Sequence, residues 1–162
     1  MVKPHKALGR MAGILKIRRR IPLLIAIPTT AGTGSETTLS AVITDSRTHH
    51  KYPINDFPLI PRYAVLDPEV TRSLPPSMTA ATGLDALTHA VEAYIGRSTT
   101  RETRRDALEA VRLIFENIDT AYTDGCDMEA RRRMLRASFL AGSAFTKSYV
   151  GYVHAVAHSL GG

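Results

Sequence analysis

The chain has 162 residues and a formal net charge of +6 at pH 7, and 44% of its residues are hydrophobic. This mixture predicts a soluble globular chain rather than a disordered one, and no run of about 18 apolar residues predicts a membrane span. The single cysteine, Cys126, excludes an internal disulfide framework and favours a reducing, cytoplasmic location.

Two arginine-rich runs contribute much of the positive charge. They are Lys16–Arg20 and Arg131–Arg133, and no aromatic residue flanks either of them. Surfaces that bind nucleic acid usually interleave basic with aromatic side chains or belong to a recognisable fold. We therefore interpret both runs as solvated helix faces and expect no nucleic-acid partner.

The first 76 residues contain several short extended segments. A helical pattern covers Lys6–Ile17, and the apolar run Leu23–Ile27 then predicts a strand buried on both faces, as in a parallel sheet. Ala41–Thr44 and Lys51–Ile54 flank a polar turn and predict a hairpin. Tyr63–Leu66 is another apolar run. Together these segments predict an α/β region.

The pattern changes at Pro75-Pro76, after which apolar residues recur at helical spacing. Ser77 and Thr79 are candidate caps for the first helix. The predicted helices are Met78–Ile95, Glu102–Ile118, Met128–Phe145 and Tyr152–Leu160. The change of period predicts two domains, an α/β domain over residues 1–76 and an all-α domain over residues 77–162.

The loop after the first apolar strand is rich in small and hydroxyl-bearing residues. Pro28–Glu36 contains three threonines and two glycines. A buried strand that opens into such a loop is a common place for phosphate binding in α/β sheets. The segment matches neither a Walker loop nor a G-x-G-x-x-G fingerprint, so a plain connecting loop is the alternative.

Two apolar helical segments carry polar side chains four residues apart. Asp85 and His89 lie in the first segment, and His154 and His158 lie in the second. This spacing places both members of a pair on one helix face, and an Asp/His set suits Fe(II) or Zn(II). The alternative for each histidine is a hydrogen-bonded residue of the core. The pair His49-His50 lies in a polar turn and is expected to be solvated.

Three segments together resemble the iron-containing (group III) alcohol dehydrogenases. Pro28–Glu36 is similar to the cofactor loop of that family, Ala81–Glu92 to its first metal-binding helix and His154–Gly162 to its second. The order and spacing of the three motifs also match, and the resemblance covers essentially the whole chain. It implies a dehydroquinate-synthase-like architecture, in which a dinucleotide-binding α/β domain precedes a helical metal-binding domain and the site lies between them.

The resemblance also implies a role for each matching residue. Asp85, His89 and His154 would bind Fe2+ or Zn2+, and His158 would act near the substrate as a proton-relay or orienting group. The residues that would contact NAD or NADP are Thr29, Thr30, Ala31, Gly32, Thr33, Thr38 and Lys51. The implied reaction is the oxidation of a small alcohol to an aldehyde or ketone, with hydride transfer to the nicotinamide. The threonine loop is then expected to face the same cleft as the metal residues.

Some features of the family have no counterpart in these 162 residues. They are the glycine-rich pyrophosphate loop, the group that reads the cofactor ribose, and a further metal-binding histidine that would fall beyond Gly162. We therefore expect the chain to represent the middle of such an enzyme and to be inactive by itself. Exposed apolar faces are also expected to make it associate, for example as a homo-oligomer.

Two other functions compete with this interpretation. A metal- and NAD-binding lyase of the dehydroquinate-synthase type uses the same scaffold, although the aspartate-first ligand pair and the threonine-rich loop disfavour it. A basic helical module that binds nucleic acid or a partner protein would make the arginine runs central but leave the Asp/His spacing unexplained. Metal content supports an enzyme, whereas salt-dependent binding to DNA or RNA supports the basic module.

Overall fold

The computed structural model describes residues 7–17, 21–149 and 151–160, without the side chains of residues 158 and 159. A small α/β region precedes a helical region, as predicted. The strands are β1 (Gly13–Ile14), β2 (Ile25–Ala26), β3 (Ser40–Thr44), β4 (Lys51–Asn55) and β5 (Tyr63–Ala64). The helices are α1 (Pro76–Ile95), α2 (Arg101–Thr123), α3 (Met128–Ser148) and α4 (Tyr152–Ser159).

The described strands form two small sheets. β1 pairs parallel with β4, and β4 pairs antiparallel with β3, with Thr44 opposite Lys51 next to the turn. The predicted hairpin is therefore confirmed. Its turn is closed by the side chain of Asp45, which accepts a hydrogen bond from the backbone N–H of Arg47 at 2.9 Å. β2 and β5 form a separate parallel pair.

Helices α1, α2 and α3 pack against one another and form the core. Their contact surfaces consist largely of fully buried alanines, which let the helices approach closely, and the larger side chains Leu113, Ile114 and Met134 fill the centre. Burial of each such large side chain contributes about 1.5–3 kcal/mol to the stability of the folded chain. Thr100 and Asp127 cap α2 and α3 by accepting hydrogen bonds from backbone N–H groups. Across the described ranges, no helix combines the length and apolar character that a membrane span requires.

The predicted helix over Lys6–Ile17 is wrong. Only Leu8–Met11 is helical, as a short 3-10 segment, and Gly13–Ile14 is a strand. The strand is extended by a hydrogen bond from the N–H of Leu15 to the carbonyl of Asn55 at 2.9 Å. Pairing with β4 therefore overrides the weak local helical preference, as tertiary context often does.

The prediction of a strand buried on both faces at Leu23–Ile27 is also wrong for this chain. Only Ile25–Ala26 is a strand, and Ile25 and Ile27 are 51% and 54% exposed. Among the described residues its single sheet partner is β5. A parallel pair buries its faces only where helices pack over it. The apolar run thus indicates a strand but not what covers it.

Helix α1 begins at Pro76, and neither candidate cap is used. Pro75 is the N-cap, without a side-chain cap hydrogen bond among the described residues. Proline suits the first helical position because the N–H that it lacks would have no helical partner there. Thr79 instead accepts a hydrogen bond from Arg131. The other predicted helices begin and end within a few residues of the observed ones.

The interpretation of Arg131–Arg133 as a solvated face is wrong for its first residue. Arg131 is 3% exposed, whereas Arg132 and Arg133 are exposed and pair with Glu129. Helical rotation separates neighbouring residues by about 100°, so one of three consecutive arginines can face the core while the others face solvent. Residues 18–20 of the other run lie outside the described residues. His49 and His50 are exposed, as predicted.

Candidate metal centre

Helix α1 presents three polar side chains on one face. Asp85, His89 and Glu92 are spaced four and three residues apart, which brings them together on a helix. His89 and Glu92 are buried, and Asp85 is half-buried. The adjacent Ala86, Ala90 and Ala93 face the helical core, so this polar face lies beside the core rather than in its centre.

Helix α4 brings His154 against this face. The Nε2 atom of His154 lies 3.5 Å from Oδ1 of Asp85. The rings of His89 and His154 stack with centroids 4.3 Å apart, and Phe145 of α3 also stacks on His89 at 4.3 Å. Three helices therefore position the two imidazole rings.

Asp85, His89 and His154 each offer one ligand atom, and these atoms lie within 4.8 Å of one another. Two ligands of one tetrahedral metal are about 3.4 Å apart when the metal–ligand bonds are about 2.1 Å long. The distance between Oδ1 of Asp85 and Nε2 of His154, 3.5 Å, is already close to this value. The structure thus brings together the three residues that the sequence suggested as metal ligands.

The environment of His89 favours the neutral imidazole. Burial lowers the pKa of His89 to about 4, against the charge of Asp85, which raises it. The Nδ1 atom of His89 is buried, and within the described part of the chain it has no hydrogen-bond partner. A neutral histidine with an unused ring nitrogen is in the state that metal binding requires.

His154 lies between two carboxylates. The hydrogen bond to Asp85 raises the pKa of His154, burial opposes this, and the hydrogen bond and charge of Glu92 raise it further. Although burial raises the pKa of Glu92, hydrogen bonds from His154, Gly151 and Val153 keep it below its usual value. The carboxyl groups of Asp85 and Glu92 therefore both face one imidazole, so a cation at this position is electrostatically favoured.

An open cleft of about 1040 Å³ contains all three candidate ligands. Thr33, Thr38 and Lys51 line the same cleft, so three of the seven predicted cofactor residues lie with the metal residues. The other four are not among the described residues that line the cleft. They are Thr29, Thr30, Ala31 and Gly32. The side chain of His158, the predicted proton-relay residue, lies outside the described residues.

The threonine loop packs directly on the helices. A Cβ atom on Gly32 would lie 2.5 Å from Cβ of Thr82 on α1, and one on Gly34 would lie 2.7 Å from Cα of Gly142 on α3. Gly34 also has a φ of 57°, in the left-handed region. These contacts leave no room for side chains, so the loop is docked on α1 and α3, and Thr33 and Ser35 in its second half line the cleft.

A buried carboxylate follows this loop. Glu36 is 3% exposed, neither of its oxygens has a hydrogen-bond partner within the described residues, and burial raises its pKa. The folded chain therefore binds this proton more tightly than the unfolded chain, so ionisation of Glu36 costs stability as the pH rises above about 4.5. We expect Glu36→Gln to raise the free energy of unfolding by about 1–3 kcal/mol at pH 8.

The measurement is urea unfolding of both proteins between pH 4 and pH 8. The difference between Glu36→Gln and the unsubstituted chain is expected to grow with pH and to disappear near pH 4, where both side chains are neutral. Glu116→Gln, at an exposed position on α2, is the control and should change little. A difference that does not vary with pH would contradict the assigned cause.

Glu92 belongs to the candidate site although the sequence did not single it out. A signal was present, since an acidic residue in an apolar helical run, three residues after His89, is costly to bury without a partner. Its partners could not be foreseen because they lie on α4, about 60 residues further along the chain. Tyr149, which lines the cleft with a φ of 67°, gave no sequence signal.

Family models match most of the chain. The one described as "Iron-containing alcohol dehydrogenase" matches residues 4–68, and "Fe-containing alcohol dehydrogenase family, C-terminal" matches residues 79–162. The chain belongs to the iron-containing alcohol dehydrogenase family. The resemblance inferred from the three sequence motifs is thereby confirmed.

Curated relatives of this family member share close to half of its residues. It is 44% identical over 155 residues to 1,3-propanediol dehydrogenase of Klebsiella pneumoniae, covering 96% of this chain and 40% of that protein. It is 43% identical over 150 residues to NAD-dependent methanol dehydrogenase of Bacillus methanolicus, covering 93% of this chain and 39% of that protein. The chain thus spans about 40% of the length of these relatives.

Solved structures show the same arrangement of elements. An alcohol dehydrogenase from Oenococcus oeni matches with a TM-score of 0.92 and 41% identity, over 96% of this chain and 41% of that one. A sulfoacetaldehyde reductase from Bifidobacterium kashiwanohense, solved in complex with NAD+, matches with a TM-score of 0.85 and 34% identity, over 96% of this chain and 42% of that one. The predicted fold class is therefore confirmed.

Proposed function

We propose that this chain provides the metal-binding cleft of an NAD(P)-dependent alcohol dehydrogenase, with Asp85, His89 and His154 as ligands to Fe2+ or Zn2+. The observation that carries the proposal is the convergence of three ligand atoms within 4.8 Å of one another, contributed by two helices. One carboxylate and two imidazoles suit either ion. Burial also keeps the imidazole of His89 neutral, since it lowers the pKa of His89 to about 4, and metal binding requires the neutral form.

A nicotinamide cofactor fits the polar part of the same cleft. Lys51 offers a positive charge, and Thr33 and Thr38 offer hydroxyl groups, which are the side chains that phosphate oxygens attract. The relatives support this choice, because one is named NAD-dependent and one structure was solved with NAD+. For Gly32 the close contact with Thr82 favours docking of the loop on α1 over direct contact with the cofactor, whereas Thr29, Thr30 and Ala31 remain proposed cofactor contacts.

A metal held by these residues would polarise the alcohol oxygen, and the cofactor would accept the hydride. The residues of the chain would orient the substrate and exclude water. Phe145 covers one side of the imidazole pair, and Tyr149 lines the cleft nearby. His158 is proposed to relay the hydroxyl proton, since it follows His154 by one helical turn in α4. The division into domains at residues 76 and 77 belongs to this proposal.

A chimeric protein tests the proposal. It supplies the segments that the longer relatives have outside the region that this chain matches. The 155 matched residues of the Klebsiella pneumoniae 1,3-propanediol dehydrogenase are replaced by the corresponding residues of this chain. We expect the chimera, loaded with Fe2+ or Zn2+ without oxygen, to oxidise 1,3-propanediol with NAD+ at about one turnover per second or faster. The isolated chain is expected to show no turnover.

The chimera is compared with two histidine variants. His154→Ala should lose activity and bound metal, whereas His50→Ala, at an exposed position in the hairpin turn, should keep both. A folded chimera that binds no metal, or equal activity in the two variants, would show that the cleft does not have this function. If the chimera fails to fold, the metal content of the isolated chain decides the ligand assignment.

A further inference from the structure

The carboxylate of Glu92 takes part in three hydrogen bonds. The backbone N–H of Gly151 donates to Oε2 at 3.0 Å, and that of Val153 donates to Oε1 at 2.7 Å. Nδ1 of His154 lies 2.5 Å from Oε2. Glu92 is 5% exposed, and burial of an ionised carboxylate is tolerated only where several donors replace its water.

Two of these bonds hold the beginning of α4. The helix has eight residues, and no side chain at its own N-cap forms a cap hydrogen bond among the described residues. Isolated helices of this length are unstable in water, so α4 depends on its contacts. Glu92 supplies from α1 both an acceptor for the first N–H groups and a negative charge at the positive end of the helix.

The third bond fixes the ring of His154. Nδ1 of His154 lies 2.5 Å from Oε2 of Glu92, much nearer than the 3.5 Å between Nε2 and Asp85, so the geometry favours Nδ1 as the nitrogen that carries the hydrogen and donates it to Glu92. Nε2, on the opposite side of the ring, then faces Asp85 at 3.5 Å. A carboxylate that holds the distal nitrogen of a metal-binding histidine sets both its tautomer and its orientation.

We propose that Glu92 is the positioning residue of the metal centre: it docks α4 on α1 and holds His154 with Nε2 directed towards Asp85. The part of this inference that concerns metal affinity rests on the function proposed above. The docking of α4 and the tautomer of His154 do not. The two ligand-bearing helices are thereby joined by a residue that is not itself one of the three ligands.

Gly151 makes this close approach possible. A Cβ atom at this position would lie 2.8 Å from Oε1 and 3.0 Å from Cδ of Glu92. The φ of Gly151 is −100°, which other residues also adopt, so glycine is required here for space and not for conformation. Gly151→Ala should therefore displace the Glu92 carboxylate and weaken both the docking of α4 and the binding of metal.

The first experiment uses the unsubstituted 162-residue chain without metal. Long-range 1H–15N NMR at a pH where His154 is neutral reports its tautomer, with the signals assigned by His154→Gln. We expect the hydrogen on Nδ1. A hydrogen on Nε2 would overturn the proposal, because Glu92 would then not be the acceptor for this ring. This result does not depend on any variant folding correctly.

The second experiment measures zinc affinity by competition with a chromophoric chelator. We expect Glu92→Gln to weaken zinc binding about 10- to 100-fold and to shift His154 towards the Nε2–H tautomer, because the amide lacks the charge and cannot accept from all three donors. Glu92→Asp, which keeps the charge but is one methylene shorter, should recover part of the affinity. Gly151→Ala should resemble Glu92→Gln. Circular dichroism verifies that each variant retains its helices.

Glu116→Gln, exposed on α2, is the matched control and should bind zinc like the unsubstituted chain. The proposal would be overturned if Glu92→Gln bound zinc as tightly as the unsubstituted chain and left the tautomer of His154 unchanged. If the unsubstituted chain binds no zinc, the proposed function fails, while the tautomer measurement still decides the role of Glu92. The two failures are therefore distinguishable.

Discussion

Replacing Asp85 with alanine is expected to lower the zinc affinity of the chain more than about 100-fold, because changes to groups outside a ligand set already cost about 10- to 100-fold. Asp85 is the anionic member of the three candidate ligands, and it lies 3.5 Å from Nε2 of His154. Its loss removes both a donor atom and the negative charge that attracts the cation. Chelator competition under nitrogen measures the affinity of each protein.

A thermal measurement provides an independent check. At a zinc concentration 100 times the dissociation constant, the unsubstituted chain should gain about 2.7 kcal/mol of stability, and Asp85→Ala should gain almost nothing. Asp119→Ala, at an exposed position on α2, is the control and should respond to zinc as the unsubstituted chain does. An equal response of Asp85→Ala would mean that the metal binds elsewhere.

Replacing Arg131 with alanine is expected to cost about 3–5 kcal/mol of stability, because the buried guanidinium donates three hydrogen bonds and a hydrogen bond from a charged group contributes about 1.5–3 kcal/mol. The guanidinium donates to the hydroxyl of Thr79 at 2.7 Å and to the carbonyls of Leu74 and Gly125 at 3.3 and 3.1 Å. These acceptors belong to the start of α1, the loop before it and the turn between α2 and α3. The substitution leaves them without this donor and opens a cavity.

Thermal and urea unfolding measure the loss of stability, and the melting temperature should fall by about 6–20 °C at this chain length. Arg132→Ala is the control at the neighbouring position. Arg132 is exposed and its ion pair with Glu129 is on the surface, so that substitution should cost less than about 1 kcal/mol. Similar losses for the two variants would contradict the structural role assigned to Arg131.

The amino-acid sequence predicted those features that depend on short-range spacing. The four-residue spacing of Asp85 and His89 placed them on one face of α1, and the polar turn between β3 and β4 predicted the hairpin. Both follow from the geometry of a single helix turn or a single chain reversal. The three motifs also indicated the family, whose models match residues 4–68 and 79–162.

The tertiary structure decided which of these side chains meet. His154 reaches Asp85 because Glu92 and Gly151 dock α4 on α1, a contact between segments about 60 residues apart that no local pattern encodes. The same holds for Arg131, whose burial depends on acceptors from three segments. Local spacing determines the face of an element on which a residue lies, whereas packing determines what that face contacts. The sequence therefore pointed to the three candidate ligands, and the fold showed that Glu92 contacts one of them.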